Sequence, residues 1–388
     1  MSLQKENEVR LIYSGNDFFD TMEGIIDSAK HTLHLQTYIL DNDTTGTLIL
    51  KRLKQAAARG VDVNLVLDAF GSKALSKNFI EEIKKSGIVF HWFGPLFSID
   101  VLRIGRRLHH KVLLADQNIA LIGGINISDK YKGDEQNIPW LDYAILIKGA
   151  ICKEIDKICL QIFDKKFKLD TLKNVVNNYR KNDPSVVLQL RQNDRLRGKN
   201  EISKSYTRAI RNANNSITLV SSYFLPGNKI KYALRRAAKR GVRVNIVLGG
   251  ISDVPLLSKA ATHLYGFFLK EGITIYEWKR SVLHGKLALI DDKWATIGSF
   301  NLNHLSALSS IELNIDVTDE AFILELKEHL QTIIDTGCEK IDYSIYIKNN
   351  TLLKRSANMF AYFLSRTGMR FLALFPKIFS STREESGL

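Results

Sequence analysis

Cysteine is scarce in this sequence of 388 residues, with Cys152, Cys159 and Cys338 as the complete set. Three scattered thiols cannot build a disulfide framework, and a zinc site needs about four ligands. A reducing compartment is therefore expected. Long apolar runs are also missing: no stretch of about 18 or more apolar residues occurs, and the N-terminus lacks the apolar core of a signal peptide. We therefore expect no transmembrane helix and no signal peptide.

Negative charge is in deficit as well. The chain has 41 Asp and Glu against 55 Lys and Arg, a formal net charge of +14, while hydrophobic residues make up 45%. This composition excludes a disordered or collagen-like polymer. The positive charge favours a polyanionic partner, either nucleic acid or the anionic face of a membrane. At about 100 to 200 residues per domain, the length predicts two or three domains.

What the sequence does contain is an internal repeat. An alternating, strand-like pattern at residues 31–40 returns at residues 216–225, with Tyr38 matching Tyr223. In both copies a helical pattern follows, stops at a glycine and leads into a buried strand and then a further strand. These matching strands lie at residues 61–67 and 242–248, and at 86–90 and 271–275. The alternation indicates an α/β fold, and a repeat of this length indicates a duplicated domain.

A second repeat carries chemical groups. The pattern H-x-K-x4-D-x6-G-[GS]-x-N occurs twice, first with His109, Lys111, Asp116 and Asn126, then with His284, Lys286, Asp291, Ser299 and Asn301. Strand residues i and i+2 share a face, so each histidine is expected beside a lysine. Cleavage of a phosphodiester needs cations on its non-bridging oxygens, a nucleophile on phosphorus and an acid for the departing alkoxide. Two such pairs meeting between the halves supply all three without a metal.

By this pair of motifs the sequence resembles the phospholipase D superfamily over roughly residues 10 to 335. The resemblance implies two homologous halves, each a mixed, mostly parallel sheet flanked by helices. It also implies packing with pseudo-two-fold symmetry and an active site at the interface. One histidine is expected to attack phosphorus and form a phosphohistidine while the other protonates the leaving alcohol. We expect His109 to be the nucleophile and His284 the acid, although the symmetry permits the reverse.

The resemblance also assigns roles to the remaining motif residues. Asp116 and Asp291 complete the catalytic set and are expected to buttress the site. The phosphoryl oxygens are expected to be held by Lys111, Lys286, Asn126 and Asn301, with Ser299 as a helper. Asp142 and Glu312 are expected to hold the second ring nitrogen of a histidine, the alternative being that they are ordinary acids at strand ends. No cofactor and no metal are expected.

Within the superfamily the sequence is similar to bacterial cardiolipin synthases. The similarity lies in residues 36–40, 139–142, 223–226, 249–253 and 275–278, and in the Arg-Gly-Val turns at Arg59 and Arg240. It implies that a phosphatidyl group passes from one phosphatidylglycerol to another with release of glycerol. The usual N-terminal pair of transmembrane helices is not found, which is typical of the shorter type. Leu305 stands where the family typically has Arg and Ser310 where it has Asn, which leaves the acceptor and head-group preference open.

Four segments are predicted along the chain. Residues 1–168 form the N-terminal half, 169–200 a basic linker, 201–336 the C-terminal half and 337–388 a basic amphipathic tail. Residues 352–379 of this tail interleave aromatic and aliphatic side chains with Lys and Arg, as in segments that lie in a membrane interface. A terminal helix packed on the domain is the alternative. Pro376 is expected to end or kink a helix there.

These observations predict an enzyme that acts on anionic phospholipid, phosphatidylglycerol in particular, as a peripheral protein on the cytoplasmic face of a bacterial membrane. One chain contains both motifs, so a monomer is expected to hold a complete site. Two other functions remain as alternatives. A hydrolytic phospholipase D differs only in using water to resolve the phosphohistidine. A nuclease of the superfamily would use the same histidines on nucleic acid, with the basic charge serving as its electrostatic footprint.

Overall fold

The computed structural model describes residues 7–94, 106–163, 187–194 and 197–381, without the side chains of residue 370 and residues 372–381. Three parts of the sequence predictions lie outside these residues. They are residues 1–6, 95–105 and 164–168 of the N-terminal half, most of the basic linker, and the last seven residues of the tail.

The N-terminal half alternates strands and helices as the repeat predicts. Its strands are β1 (Asn7–Tyr13), β2 (Thr32–Thr37), β3 (Asp62–Asp68), β4 (Val89–Phe93), β5 (Arg107–Leu108), β6 (Lys111–Ala115), β7 (Ile119–Gly123) and β8 (Tyr143–Gly149). Its helices are α1 (Asn16–Ser28), α2 (Thr44–Ala58), α3 (Lys77–Lys85), α4 (Asp129–Lys132) and α5 (Cys152–Phe163). Local sequence sets the ends of α2: Asp43 accepts the N–H of Gly46 at its start, and Gly60 takes the left-handed φ of 89° just after its end.

The C-terminal half repeats this order. Its strands are β9 (Leu188–Asp194), β10 (Lys199–Asn200), β11 (Ser216–Ser221), β12 (Arg243–Gly249), β13 (Thr274–Trp278), β14 (Lys286–Ile290), β15 (Trp294–Gly298), β16 (Ser310–Val317) and β17 (Cys338–Lys340). Its helices are α6 (Glu201–Asn212), α7 (Asn228–Lys239), α8 (Pro255–Lys270), α9 (His304–Leu308), α10 (Glu320–Gly337), α11 (Tyr343–Asn349) and α12 (Leu352–Ser381). Strand β9 falls inside the predicted linker but pairs with β16. These residues therefore belong to the second sheet, while the remaining four-segment division stays a prediction.

Each half is built on a mixed sheet. The strand order is β1-β8-β7-β6-β2-β3-β4 in the first and β10-β9-β16-β15-β14-β11-β12-β13-β17 in the second. Along these orders, parallel pairing is confined to β2-β3-β4 and to β11-β12-β13. The sheets are therefore mixed as expected, but antiparallel pairs outnumber the parallel pairs that were expected to dominate.

Tight turns produce two of the antiparallel pairs. Asp116 and Gln117 have φ values of 50° and 53°, and Asp291 and Asp292 have 55° and 51°. Two consecutive left-handed residues are the mark of a type I′ turn, which joins adjacent antiparallel strands. The motif strands β6 and β14 consequently fold back as hairpins onto β7 and β15.

The two sheets face each other across a shared apolar core. Val112, Ile122 and Ile145 of the first half belong to the same buried cluster as Leu287 and Leu313 of the second. Separate clusters lie between each sheet and its outer helices. Burial of apolar surface on both sides of each sheet fixes the halves against each other, which positions the motif strands.

Helix α12 packs on the second half along one face. Ala361, Tyr362, Ser365 and Met369 are buried, and α12 contacts α8 and α9. The helix continues past Pro376, so it does not end at this residue, and the expected kink there stays a prediction. Among the described residues, no helix combines the length and apolar character needed to cross a membrane.

Candidate active site

The two motif histidines face a single cavity between the halves. Its volume is about 440 Å³, and both His109 and His284 line it. Asn126 and Asn301, the asparagines that end the two motifs, line it as well. The structure therefore brings both copies of the repeat to one site, as the motif pair predicts.

Backbone pairing across the halves holds each histidine in place. The His109 N–H donates to the carbonyl of Ile311 at 3.0 Å, because β5 runs parallel to β16 of the other half. Likewise the His284 N–H donates to the carbonyl of Leu141 at 2.8 Å, next to a bridge between Leu141 and Leu283. Each histidine is thus fixed beside the segment that carries the carboxylate of the opposite half.

Each of these carboxylates contacts the histidine of the other half, so two histidine–carboxylate pairs cross the interface. Nδ1 of His109 lies 2.9 Å from Oε2 of Glu312, and Nδ1 of His284 lies 2.6 Å from Oδ2 of Asp142. Both carboxylates are 0% exposed. A carboxylate on Nδ1 fixes the tautomer and leaves Nε2 free to react. Neither acid serves the histidine of its own half.

The surroundings of the two carboxylates differ. The Ser299 hydroxyl donates to Oε2 of Glu312 and is fully buried. At the matching position of the first half, a Cβ on Gly124 would lie 2.4 Å from Oδ1 of Asp142, so only glycine leaves room for that carboxylate. The structure thus places Ser299, which was expected to help bind phosphate, behind the histidine as a partner of Glu312.

The motif lysines lie beside the histidines. Nζ of Lys111 donates to the His109 carbonyl at 2.6 Å, and the Lys286 ammonium donates to the His284 carbonyl and lies 3.6 Å from Oδ2 of Asp142. Burial, together with the charge of Lys286, lowers the pKa of Lys111 to about 7. Burial also lowers the pKa of Lys286. The charge of Lys286 disfavours a second ammonium at Lys111, so the site favours an anionic ligand that offsets both charges.

Burial likewise lowers the pKa of both histidines. For His109 the effect of burial exceeds the opposing effect of Glu312. For His284 burial and the charge of Lys286 outweigh Asp142. A lowered pKa keeps an imidazole neutral at pH 7, with a lone pair available on Nε2.

Asp116 and Asp291 do not reach the cavity. Each lies at the far end of its motif strand, about 16 Å from the lysine at a rise of about 3.3 Å per residue. Asp116 accepts the backbone N–H groups of Lys30, His31 and Thr32 at 2.8–2.9 Å, and Asp291 accepts three equivalent N–H groups. Both carboxylates therefore tie the hairpin turn to the neighbouring loop and act on the site only through the backbone.

Sequence reasoning missed several residues of the cavity. The ring of Tyr38 packs edge-on against His109 at 5.1 Å, and Tyr223 packs against His284 at 6.0 Å. The sequence signal for both tyrosines is that they occupy matching positions in the repeat, directly after the matching strands of the two halves. The Tyr131 hydroxyl lies 3.3 Å from Nδ1 of His284 and accepts from Asn126 at 2.8 Å. Met369, on the last helix, also lines the cavity.

The two departures from the family pattern both line the cavity. Leu305 and Ser310 are found there together with Arg107, which lies two residues before the first motif histidine. Arg107 lies 3.7 Å from the buried carboxylate of Asp68 and adds a cation to the wall. Within the described ranges no cluster of three or more His, Cys, Asp or Glu could hold a metal ion.

The chain is a duplicated α/β domain with two H-x-K motifs, and the histidine of each half contacts a carboxylate of the other half. These features define the phospholipase D-like class. Residues 22–159 and 206–334 match the family described as cardiolipin synthase, PLD-like domain, and the chain is a member of this family.

Individual relatives agree with this assignment. The chain is 31% identical to cardiolipin synthase B of Salmonella typhi over 357 residues, covering 88% of this chain and 84% of the relative. It is 28% identical to a cardiolipin synthase of Clostridium perfringens, covering 90% and 74%. Among solved structures, the phosphatidylserine synthase of Haemophilus influenzae shares the fold, with a TM-score of 0.75 at 15% identity over 97% of this chain and 96% of the other.

Proposed function

We propose that the protein is a phosphatidyltransferase of the cardiolipin synthase type, which transfers a phosphatidyl group from one phosphatidylglycerol to another and releases glycerol. The observation that carries this proposal is the pair of crossed contacts, His109 with Glu312 and His284 with Asp142, at one cavity. Such an arrangement supplies a nucleophile and an acid on the two sides of a phosphorus atom. Family membership supports a phospholipid as the substrate.

The first step forms the intermediate. Nε2 of His109 bonds to phosphorus while the bond from phosphorus to the head-group oxygen breaks. His284 donates its Nε2 proton to that oxygen, and glycerol leaves. The lowered pKa of His109 keeps this nitrogen unprotonated, whereas the bound phosphodiester anion favours the protonated form of His284 that the step requires.

The second step resolves the phosphohistidine. A hydroxyl of a second phosphatidylglycerol gives its proton to His284 and bonds to phosphorus as the bond to His109 breaks. Cardiolipin is released, and both histidines return to their starting states. Water in place of the lipid hydroxyl would give phosphatidic acid, so exclusion of water decides between transferase and hydrolase.

The buried cations stabilise the phosphoryl oxygens in this scheme. We assign Lys111, Lys286, Asn126 and Asn301 to this role, since charge and dipoles fixed before the reaction lower the cost of the charged transition state. Arg107 lines the same cavity and adds a further positive charge to it. Ser299 acts through Glu312 as a positioning residue.

Incubation with phosphatidylglycerol vesicles and mass spectrometry of the lipid products tests the proposal. Cardiolipin together with an equal amount of free glycerol is the expected result. Phosphatidic acid without cardiolipin would show a hydrolase instead. Unreacted lipid together with cleavage of an oligonucleotide would refute action on phospholipid. Since both motifs lie in one chain, we propose that a single copy is active, and product formation proportional to enzyme concentration is expected.

The outer face of α12 is the proposed membrane contact. This face consists of Leu353, Phe360, Phe363, Leu364 and Phe371, which recur at helical spacing and are 49–84% exposed. The opposite face is buried on the second half, so the helix is packed on the domain and still presents apolar side chains outward. Exposed cations, such as Lys354 and Arg355, suit an anionic bilayer. We infer peripheral binding to the cytoplasmic face of a bacterial membrane.

Charges on this face are expected to release the protein from membranes. The double substitution Phe360→Glu and Phe363→Glu should lower the fraction that sediments with phosphatidylglycerol vesicles by at least about tenfold. It removes apolar area that the bilayer would bury, and it adds charges that anionic lipid repels. Leu324→Glu is the matched control, because Leu324 is equally exposed, at 56%, but lies on α10. Equal sedimentation of the double variant and the control would contradict the membrane contact.

A further inference from the structure

One wall of the cavity is apolar and is made from three helices that are far apart in sequence. Val254 and Leu257 come from the start of α8, Leu305 from α9 and Met369 from α12. We call these four residues the apolar wall. Met369 is only 8% exposed and belongs to the hydrophobic cluster on which Leu257 and Leu305 pack.

Apart from Ile39 and Trp140, the rest of the cavity is lined by side chains with polar or charged groups. The histidines, Asn126, Asn301 and Arg107 present polar or charged groups to it. A phosphodiester requires only this polar part. The apolar wall has no role in the chemistry at phosphorus, so its presence points to a ligand that carries hydrocarbon next to its phosphate.

Helix α12 joins this wall to the proposed membrane contact. Met369 points into the cavity, whereas Phe371, two residues later, is 57% exposed on the outer face. A helix with its side chains is about 10 Å across. Hydrocarbon that begins at the apolar wall therefore needs to extend only past the width of one helix to reach a bilayer in contact with the outer face.

We propose that the apolar wall binds the acyl-bearing glycerol of a phospholipid, and that Leu305 and Met369 determine the preference for diacyl phosphodiesters over phosphodiesters without acyl chains. This inference rests on the proposed function and adds to it the residues that select lipid. It also makes α12 a part of the substrate site as well as a membrane contact.

The test compares two substrates in detergent solution, where binding to a bilayer is not needed. Long-chain phosphatidylglycerol in mixed micelles reports on the wall, and bis(p-nitrophenyl) phosphate reports on the polar part alone. In Met369→Asp and in Leu305→Gln, the ratio of kcat/KM for the lipid to kcat/KM for the soluble diester should fall at least about tenfold. Met369→Leu, which keeps the wall apolar, should retain at least a third of the wild-type ratio, roughly.

Met359→Asp is the matched control, because this second methionine of α12 is 46% exposed and is not part of the wall. Its ratio should stay within about threefold of wild type. Leu305 is only partly buried, so Leu305→Gln tests the wall even where Met369→Asp does not fold. Equal losses on both substrates, or an unchanged ratio in both wall variants, would overturn the inference. The proposed function fails separately, if wild type makes no cardiolipin from the lipid.

Discussion

Replacing His284 by alanine should stop cardiolipin formation yet leave the enzyme able to form the phosphohistidine from a substrate with a good leaving group. With phosphatidylglycerol the departing alkoxide needs a proton, and loss of a general acid costs about 10²- to 10⁴-fold. p-Nitrophenolate leaves without one. His284→Ala should therefore release a burst of p-nitrophenol from a phosphatidyl p-nitrophenyl ester and then stall, since no base activates the acceptor.

His109→Ala should lose both reactions. Removal of the nucleophile leaves no group to bond to phosphorus, and we expect a loss of about 10⁴-fold or more with either leaving group. The burst amplitude and the intact mass of the protein, measured under alkaline conditions that preserve phosphohistidine, separate the two variants. A burst and a mass adduct in His109→Ala, with neither in His284→Ala, would show that the roles are reversed.

The carboxylates should affect the opposite half of the chain. In Asp142→Asn, the backbone N–H of Tyr143, which donates to Oδ1 at 2.8 Å, holds the amide oxygen in that place. The amide NH2 then faces Nδ1 of His284 and enforces the wrong tautomer. A loss of about 10²- to 10⁴-fold is expected, as for other catalytic imidazoles whose carboxylate is replaced by an amide. The variant should behave like His284→Ala, with the burst retained.

Glu312→Gln should instead behave like His109→Ala, with a reduced burst and little adduct, because Glu312 contacts the nucleophile. Asp116→Asn is the control for a motif carboxylate outside the cavity. It should lower the free energy of unfolding by about 1–2 kcal/mol through weaker backbone hydrogen bonds, with kcat within a few-fold of wild type. Asp142→Asn behaving like His109→Ala would refute the crossed arrangement.

Much of the fold could be predicted because short stretches of sequence indicate where helices and buried strands begin and end. The helices that stop at Gly60 and Gly241 and the buried strands that follow them form where periodicity and turn residues predict. The hairpins β6-β7 and β14-β15 could not be predicted from glycine signals, because their turns begin with Asp. Aspartates tolerate a left-handed φ, and the motif aspartates were assigned to the site instead of to those turns.

The sequence predicts which residues belong to the candidate site better than it predicts which residues they contact. The repeat named both histidines, both lysines and both asparagines, and the structure places the histidines and asparagines around one cavity. Ser299 lies near the site as predicted, but it donates to Glu312, whereas a phosphate oxygen was the expected partner. Met369 could not be found from sequence. It lies about 70 residues beyond the last motif, and nothing local shows that one face of a tail helix is turned towards the cavity.

By itself the sequence determined the duplicated α/β domain and the reactive groups, because periodicity and motif spacing are properties of short segments. Only the tertiary structure decided which carboxylate holds which histidine. That choice depends on β5 pairing with β16 across the interface and on the bridge between Leu141 and Leu283. These contacts join residues more than 140 positions apart, and they form only because both sheets bury a common apolar core.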